Sequence, residues 1–143
     1  MRIREVKRFS YRVYESVLHL LPQLDGDVDL PDEEFFRGIL SSDNSHFFVA
    51  ELDNKDIAGV LTLSNYDIPT GRKYWIEDVI VDNSLRGRGI GRDLVLHAIE
   101  YAGKAGAKSV ELTSRPARVE ANKLYRKLGF VLRETNMYRY NII

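Results

Sequence analysis

The sequence contains no cysteine, only four prolines and a single tryptophan among its 143 residues. The lack of cysteine excludes disulfide scaffolds, thiolate metal sites and cysteine nucleophiles. The chain also lacks an excess of either charge, because 21 Lys and Arg residues balance 21 Asp and Glu residues. Proteins that bind nucleic acid usually carry a basic excess. The balance therefore argues against a nucleic-acid partner and against a role at a membrane surface.

Long apolar runs are missing as well. No uninterrupted stretch approaches the roughly 18 residues that a membrane-spanning helix needs, and residues 1–5 lack the apolar segment of a signal peptide. We therefore expect a cytoplasmic protein. With 44% hydrophobic residues the chain can bury a core, and its length fits one domain over residues 1–143.

The order of predicted elements indicates a mixed α/β fold. Helices are predicted where apolar residues recur three and four positions apart, and strands where short apolar runs lie between turn residues. In chain order the predicted elements are a strand at 3–6, a helix at 11–21 that ends at Pro22, a helix after Pro31, strands at 47–50, 57–63 and 74–81, a helix at 90–102, a strand at 109–113, a helix at 121–128 and a closing strand at 137–143. Strands and helices alternate in the second half, which is typical of an α/β unit.

A glycine-rich loop joins the strand at 74–81 to the helix that follows it. Its residues, with the first ones of the helix, are Arg86, Gly87, Arg88, Gly89, Ile90, Gly91 and Arg92. Glycines before a helix let several unpaired backbone N–H groups converge on one anion, and arginines add positive charge. The segment indicates a phosphate or pyrophosphate site, although a plain tight turn would also explain it.

Two well-known glycine motifs do not fit this loop. The phosphate-binding loop of nucleoside triphosphatases ends in Gly-Lys-Ser or Gly-Lys-Thr, and neither triplet occurs in the chain. A dinucleotide fingerprint beginning at Gly87 would have Arg92 in place of its third glycine.

The loop does satisfy the pattern Arg/Gln-x-x-Gly-x-Gly/Ala, through Arg86, Gly89 and Gly91. Further along, residues 121–130 read Ala-Asn-Lys-Leu-Tyr-Arg-Lys-Leu-Gly-Phe. With these two motifs in this order, residues 75–130 resemble the core of the GNAT family of N-acetyltransferases. The resemblance implies a mixed, mostly antiparallel sheet with about four helices and a splayed centre, and it implies that the loop binds acetyl-CoA.

Two adjacent carboxylates in an apolar strand are the candidates for proton transfer. An alkylamine with a pKa of about 10.4 is protonated at pH 7, so a base must remove its proton before it can accept an acetyl group. Glu77 and Asp78 lie between apolar residues, where a carboxylate without a partner costs free energy. Strict alternation would place them on opposite faces unless a bulge intervenes. We predict Glu77 as the base and Asp78 as the second choice, and pairing of both with arginines is the structural alternative.

The resemblance to the family implies the remaining roles. Residues 76–78 look like the Leu-Glu-Asp of its diamine and polyamine acetyltransferases. Backbone N–H groups near Val79, Ile80 and Val81 would bind the acetyl carbonyl oxygen, and the hydroxyl of Tyr125 would protonate the leaving sulfur. On spacing alone, Tyr125 would be an ordinary core residue. Arg118 stands where many relatives carry asparagine, so the contact of that asparagine is not carried over.

The acidic loop between the first two helices is a second candidate region. Asp25, Asp27 and Asp29 imitate the start of a calcium-binding loop, but Leu30 and Phe36 occupy the positions that need glycine and a bidentate acid. The three histidines show no ligand spacing either, so we expect no metal. The aspartates could bind a cationic amine, although a solvated connecting loop is the simpler interpretation.

Together these features predict an acetyl-CoA-dependent N-acetyltransferase that acts directly on a primary amine of a small molecule or peptide. A covalent enzyme intermediate is not expected because the chain has no thiol. One alternative is a catalytically silent acyl-CoA-binding regulatory module, and another is a nucleotide-binding domain with an unusual loop. The C-terminal residues 140–143 could pair across a homodimer.

Overall fold

The computed structural model, which describes all residues 1–143, contains an antiparallel sheet of four strands. The chain divides into two units, Met1–Thr113 and Ser114–Ile143. The elements of the first unit are β1 (Arg2–Glu5), α1 (Tyr11–Leu24), α2 (Glu33–Ser41), β2 (Ser45–Glu51), β3 (Ile57–Ile68), β4 (Gly71–Val81), a 3-10 turn (Asn83–Leu85) and α3 (Ile90–Lys104). The second unit contains α4 (Val119–Leu128).

Side-chain caps define where the first two helices begin. The Ser10 hydroxyl accepts a hydrogen bond from the Val13 N–H at 3.3 Å, and the Asp32 carboxylate accepts one from the Phe35 N–H at 2.8 Å. The prediction that α1 ends at Pro22 is wrong, because the helix continues to Leu24. A proline in the last turn removes only one backbone hydrogen bond, so the helix can pass through it.

The sheet is covered on both faces within the first unit. On one face α1 and α2 pack against the sheet through a cluster that includes Val17, Phe36, Val60 and Ile80. On the other face α3 packs against β2 and β3, where the ring of Phe48 contacts His97 and Tyr101. A sheet buried on both faces needs apolar side chains at consecutive positions, which explains the continuous apolar runs of β2 and β3.

The predicted strand at 109–113 is wrong as a regular strand. It is reduced to one parallel bridge between Trp75 and Glu111, in which the Ile76 N–H donates to the Glu111 carbonyl at 2.8 Å and the Glu111 N–H donates to the Tyr74 carbonyl at 3.0 Å. Beyond this bridge the two segments do not pair. The outer edge of β4 is therefore open from Glu77 onwards, which is the splayed arrangement that the resemblance implies.

The second unit contains a helix that ends as predicted. Helix α4 stops at Gly129, and the Phe130 N–H donates to the Tyr125 carbonyl at 3.0 Å. The predicted closing strand at 137–143 is wrong, because residues 129–143 have no regular secondary structure. The alternation of Tyr138 with Tyr140 is typical of a strand, but a strand forms only where a neighbour accepts its hydrogen bonds. The expected single domain and the homodimer stay predictions.

The helices of this chain fall short of what crossing a bilayer would require, because none combines the necessary length with sufficient apolarity.

A glycine in β3 allows the close approach of α3 to the sheet. A Cβ atom at Gly59 would lie 2.8 Å from the Ile80 carbonyl oxygen and 3.1 Å from Cδ1 of Leu94. We expect Gly59→Ala to lower the free energy of unfolding by about 1–3 kcal/mol, because the backbone oxygen cannot move away without disturbing the pairing of β3 with β4. Chemical denaturation of the variant measures this change.

Gly38→Ala is the matched control for this substitution. Gly38 lies within α2, and a Cβ atom there would meet no atom within 4 Å. Alanine should stabilise the helix by about 0.5–1 kcal/mol relative to glycine. Equal effects at both positions would contradict the proposed close contact.

Candidate functional site

The loop before α3 forms an exposed turn with left-handed glycines. Gly87 has a φ of +79° and Gly89 a φ of +78°, a region that side chains with a Cβ atom rarely adopt. A Cβ atom at either position would meet no atom within 4 Å, so the glycines are needed for the backbone conformation and leave open space above it. The structure thus brings the predicted loop residues together at one surface turn.

The N-terminus of α3 is not capped by the protein itself. Gly89 is the N-cap residue, and no side chain accepts a hydrogen bond from the first turn of the helix. The first N–H groups of a helix lack intrahelical partners and carry the positive end of the helix dipole. Arg86 and Arg88 are exposed beside this turn without an ion-pair partner, and Arg92 makes a weak contact with Asp93 at 3.4 Å. The arrangement can bind an anion such as a diphosphate.

A β-bulge in β4 determines where the two predicted carboxylates lie. The register pairs Val60 with Ile80 but Thr62 with Glu77, so that Leu61 faces two residues of β4. Asp78 is one of the two, and its φ of +50° lies in the left-handed region, which Asp tolerates better than most residues. The β-bulge that the sequence analysis considered as an exception to strict alternation is therefore present.

The bulge brings Glu77 and Asp78 to the same side of the sheet. Directly opposed residues of an antiparallel pair share a face, so Glu77 lies on the face of Thr62, which α1 and α2 cover. Thr62 and Asp78 both line a cavity on this face. Strict alternation would have directed one of the two carboxylates to the face that α3 covers.

Neither carboxylate is neutralised by a basic side chain. No side-chain hydrogen bond or ion pair joins the carboxylates of Glu77 and Asp78 to another residue, so the alternative of pairing with arginines does not hold in this structure. Burial raises the pKa of Glu77 above its ordinary value, and the negative charge of Asp78 raises it further. Burial also raises the pKa of Asp78. Raised pKa values bring both groups closer to the range where a carboxylate can accept a proton at neutral pH.

The open edge of β4 presents backbone donors next to these carboxylates. The Asp82 N–H donates inward to the Ala58 carbonyl at 2.8 Å. Because hydrogen bonding alternates along a strand, the N–H groups of Val81 and Val79 point to the outer edge, while that of Ile80 points to β3. No strand covers this part of the edge. Two outward N–H groups are therefore available to a bound carbonyl oxygen.

A cavity of about 410 Å³ lies between the two N-terminal helices and the sheet. Of the aspartates predicted to bind a substrate, only Asp29 lines it. Asp25 and Asp27 are exposed and bonded to each other, with the Asp27 N–H donating to Asp25 Oδ1 at 3.2 Å. Sequence reasoning missed Asp32 and Phe35, which line the cavity as well. Local patterns assigned both to a helix start, and only the packing of α2 on the sheet shows their second role.

Tyr125 is a buried residue of the second unit. Its side chain is 7% exposed, and its ring packs edge-on against Phe130 with 5.7 Å between the ring centroids. Burial raises the pKa of the Tyr125 hydroxyl, and the charge of Arg118 offsets part of this effect. The hydroxyl therefore stays protonated at neutral pH and can act as a proton donor.

No metal centre is formed by these residues. Nowhere in the chain do three or more histidine, aspartate or glutamate side chains converge in a way that could hold a metal ion.

Comparison with known proteins places these features in a family context. The family described as "Acetyltransferase (GNAT) family" matches residues 10–130. An uncharacterized N-acetyltransferase of Methanocaldococcus jannaschii is 35% identical over 102 residues, which cover 70% of this chain and 45% of that protein. Glucosamine 6-phosphate N-acetyltransferase 1 of Oryza sativa subsp. japonica is 30% identical over 136 residues, which cover 90% of this chain and 81% of that protein. The chain thus spans less than half of the first relative and most of the second.

A solved structure shows the same fold. The aminoglycoside acetyltransferase from an uncultured soil metagenomic sample, crystallised with sisomicin, matches with a TM-score of 0.86. The match covers 99% of this chain and 95% of that chain at 20% sequence identity. This likeness confirms the predicted mixed α/β architecture, with a mostly antiparallel sheet and four helices.

The raised pKa of Asp78 predicts a pH-dependent stability. Folding disfavours the charged form, so an ionised Asp78 destabilises the protein above its folded-state pKa and has no such effect below the unfolded-state value of about 3.9. We expect Asp78→Asn to raise the melting temperature most at pH 7–8, with a gain that shrinks as the pH falls towards 4. Thermal denaturation across this range measures the difference.

Asp67→Asn is the control, because the pKa of Asp67 is shifted in the opposite direction to that of Asp78. Arg72 holds the pKa of Asp67 below its usual range, so this exposed carboxylate favours folding above its unfolded-state pKa. The substitution should give no gain at neutral pH. If Asp78→Asn raised the melting temperature equally at every pH, the electrostatic explanation would be contradicted. The left-handed backbone conformation at residue 78 would then explain the increase.

Proposed function

Because this chain belongs to the acetyltransferase (GNAT) family, we propose that it transfers an acetyl group from acetyl-CoA directly to a primary amine. The family match and the N-acetyltransferase relatives support an N-acetyltransferase. One observation carries the proposal. A single segment, residues 76–92, combines two unpaired carboxylates, an open strand edge and an uncapped helix N-terminus.

The residues before and at the start of α3 fit the diphosphate of acetyl-CoA. The glycines leave open space above the turn, the helix N-terminus offers unpaired N–H groups, and the exposed Arg86 and Arg88 supply positive charge. When bound, acetyl-CoA supplies an acetyl group as a thioester, and CoA is released as the free thiol when the amine nitrogen takes the acetyl carbon. The N–H groups of Val79 and Val81 would donate to the carbonyl oxygen, which gains negative charge during the transfer.

Two side chains of this chain would take part in the proton transfers. Glu77, with Asp78 as the second choice, would accept the proton that the ammonium group must lose, directly or through a water molecule. The hydroxyl of Tyr125 would donate a proton to the leaving sulfur, as the family resemblance implies, and would regain one from solvent. The nitrogen loses its second proton to solvent as the C–S bond breaks and the amide forms, so the net products are an amide, the CoA thiol and one proton.

The acceptor belongs to the class of small-molecule amines under this proposal. The rice relative is named for glucosamine 6-phosphate, and the soil enzyme of known structure is named an aminoglycoside acetyltransferase. A peptide amine remains part of the predicted range. Release of CoA thiol from acetyl-CoA, measured against glucosamine 6-phosphate, an aminoglycoside, a polyamine and a short peptide, tests the activity. A chain that binds acetyl-CoA but acetylates no amine would instead be the silent binding module.

Gly89→Ala is expected to weaken acetyl-CoA binding by about tenfold or more, since it adds a Cβ atom and about 1–2 kcal/mol of strain at the turn that would hold the diphosphate. Gly106→Ala is the matched control. Gly106 also has a positive φ, of +91°, and open space around it, but it follows the other end of α3. Isothermal titration calorimetry should show a lower affinity for acetyl-CoA in Gly89→Ala and an unchanged affinity in Gly106→Ala. Equal affinities in both variants would contradict the assignment of the loop.

Tyr125→Phe is expected to lower turnover by about 10- to 10⁴-fold, because the leaving sulfur loses its proton donor. Affinity for acetyl-CoA should change little, since the ring and its contact with Phe130 are kept. Steady-state kinetics of thiol release and calorimetry measure the two quantities separately. Tyr138→Phe, at an exposed position, serves as the control and should leave turnover unchanged. Full activity of Tyr125→Phe would contradict the proposed role of the Tyr125 hydroxyl as the proton donor.

A further inference from the structure

The cavity at Asp78 has an unusual lining for a site that accepts amines. Fourteen residues border it, of which ten are apolar, three are aspartates and one is Thr62. No lysine, arginine or histidine is among them. A ligand in this cavity would meet apolar walls, the hydroxyl group of Thr62 and negative charge, but no positive charge.

The apolar part of the lining extends from the buried wall to the surface. Phe36 and Phe47 are buried at the sheet, and their rings lie edge-to-face at 5.3 Å. Phe35 and Leu30 border the same cavity but are 66% and 50% exposed. When an apolar ligand covers large exposed side chains beside a cavity, apolar surface is removed from water. This burial stabilises the complex.

Two of the three aspartates are free to meet a cation. The Asp32 carboxylate is committed to the N-terminus of α2, where it accepts the Phe35 N–H. Asp29 and Asp78 make no side-chain hydrogen bond or ion pair. Both residues are exposed. Asp78 lies in the strand whose open edge would receive the acetyl carbonyl. An ammonium group at Asp78 would therefore stand next to that edge.

We propose that the acceptor is a primary amine on an apolar body, aromatic or branched aliphatic, that carries no phosphate. Its ammonium group pairs with Asp78, and its body lies against α1 and α2. The inference rests on the proposed function and narrows its acceptor. A phosphate would face the carboxylates of Asp29 and Asp78 without a basic partner, which costs free energy.

Three amines with the same aminoethyl head test the proposal. Calorimetric titration of the full chain with 2-phenylethylamine, ethanolamine and O-phosphoethanolamine, with and without CoA, compares an apolar, a small polar and a phosphorylated body. We expect 2-phenylethylamine to bind about 10- to 100-fold more tightly than ethanolamine, because its ring is removed from water. O-phosphoethanolamine should bind most weakly. Equal affinities, or tighter binding of the phosphorylated amine, would overturn the proposal.

Two variants locate the binding site. Asp78→Asn should weaken the binding of 2-phenylethylamine by tenfold or more and leave the neutral analogue 2-phenylethanol unchanged. Phe35→Lys should weaken amine binding as well, because it places a positive charge at the cavity. Ile68→Lys is its control, at a position that is 43% exposed and does not border the cavity. Unchanged binding in both test variants would show that the amine binds elsewhere and would overturn the proposal.

Turnover separates this inference from the function on which it rests. Binding of 2-phenylethylamine at Asp78 without release of CoA thiol would support the cavity assignment and contradict acetyl transfer to this amine. Faster acetylation of O-phosphoethanolamine than of 2-phenylethylamine would confirm acetyl transfer and overturn the proposed acceptor class.

Discussion

The extra residue that β4 places opposite Leu61 is the constraint on which the site depends. In a regular strand, neighbours alternate between faces, and one of Glu77 and Asp78 would be directed towards α3. The bulge shifts this alternation, so that both carboxylates lie on the side of the cavity. The left-handed backbone at Asp78 and the charge without a partner both cost free energy. Such local costs are typical of positions that function requires.

The turn that we propose to bind the diphosphate follows directly on the same strand. Strand β4 leads through the short 3-10 turn into the glycine loop, and α3 starts at Ile90. Helix α3 holds its position because Leu94 packs closely over Gly59 in β3. The carboxylates, the outward N–H groups and the helix N-terminus thus belong to one continuous segment, residues 76–92. Their arrangement does not need a long flexible loop, which suits a site that must present two reactants to each other.

Local sequence signals predicted the helices and the strands at 47–50 and 57–63 well. They failed where pairing between distant segments decides whether a strand forms. The periodicity of Leu94 and Ala98 indicates a helix whatever surrounds it. The segment at 109–113 has a strand pattern, yet only Glu111 pairs with β4. The C-terminal residues alternate like a strand and find no partner. A strand-like pattern shows that a segment can pair with a strand. Whether a partner strand lies beside it depends on the tertiary fold.

The glycine loop and the motif around Tyr125 could be identified from the chain alone, because a positive φ and converging N–H groups before a helix are local properties of a few residues. The faces of Glu77 and Asp78 could not, since one residue of register shift between β3 and β4 reverses them. The residues that line the cavity could not be predicted from the sequence either, because they come from α1, α2 and three strands that are far apart in the chain. The proposed diphosphate site therefore depends on consecutive residues, whereas the proposed acceptor site forms only when α1 and α2 pack on the sheet.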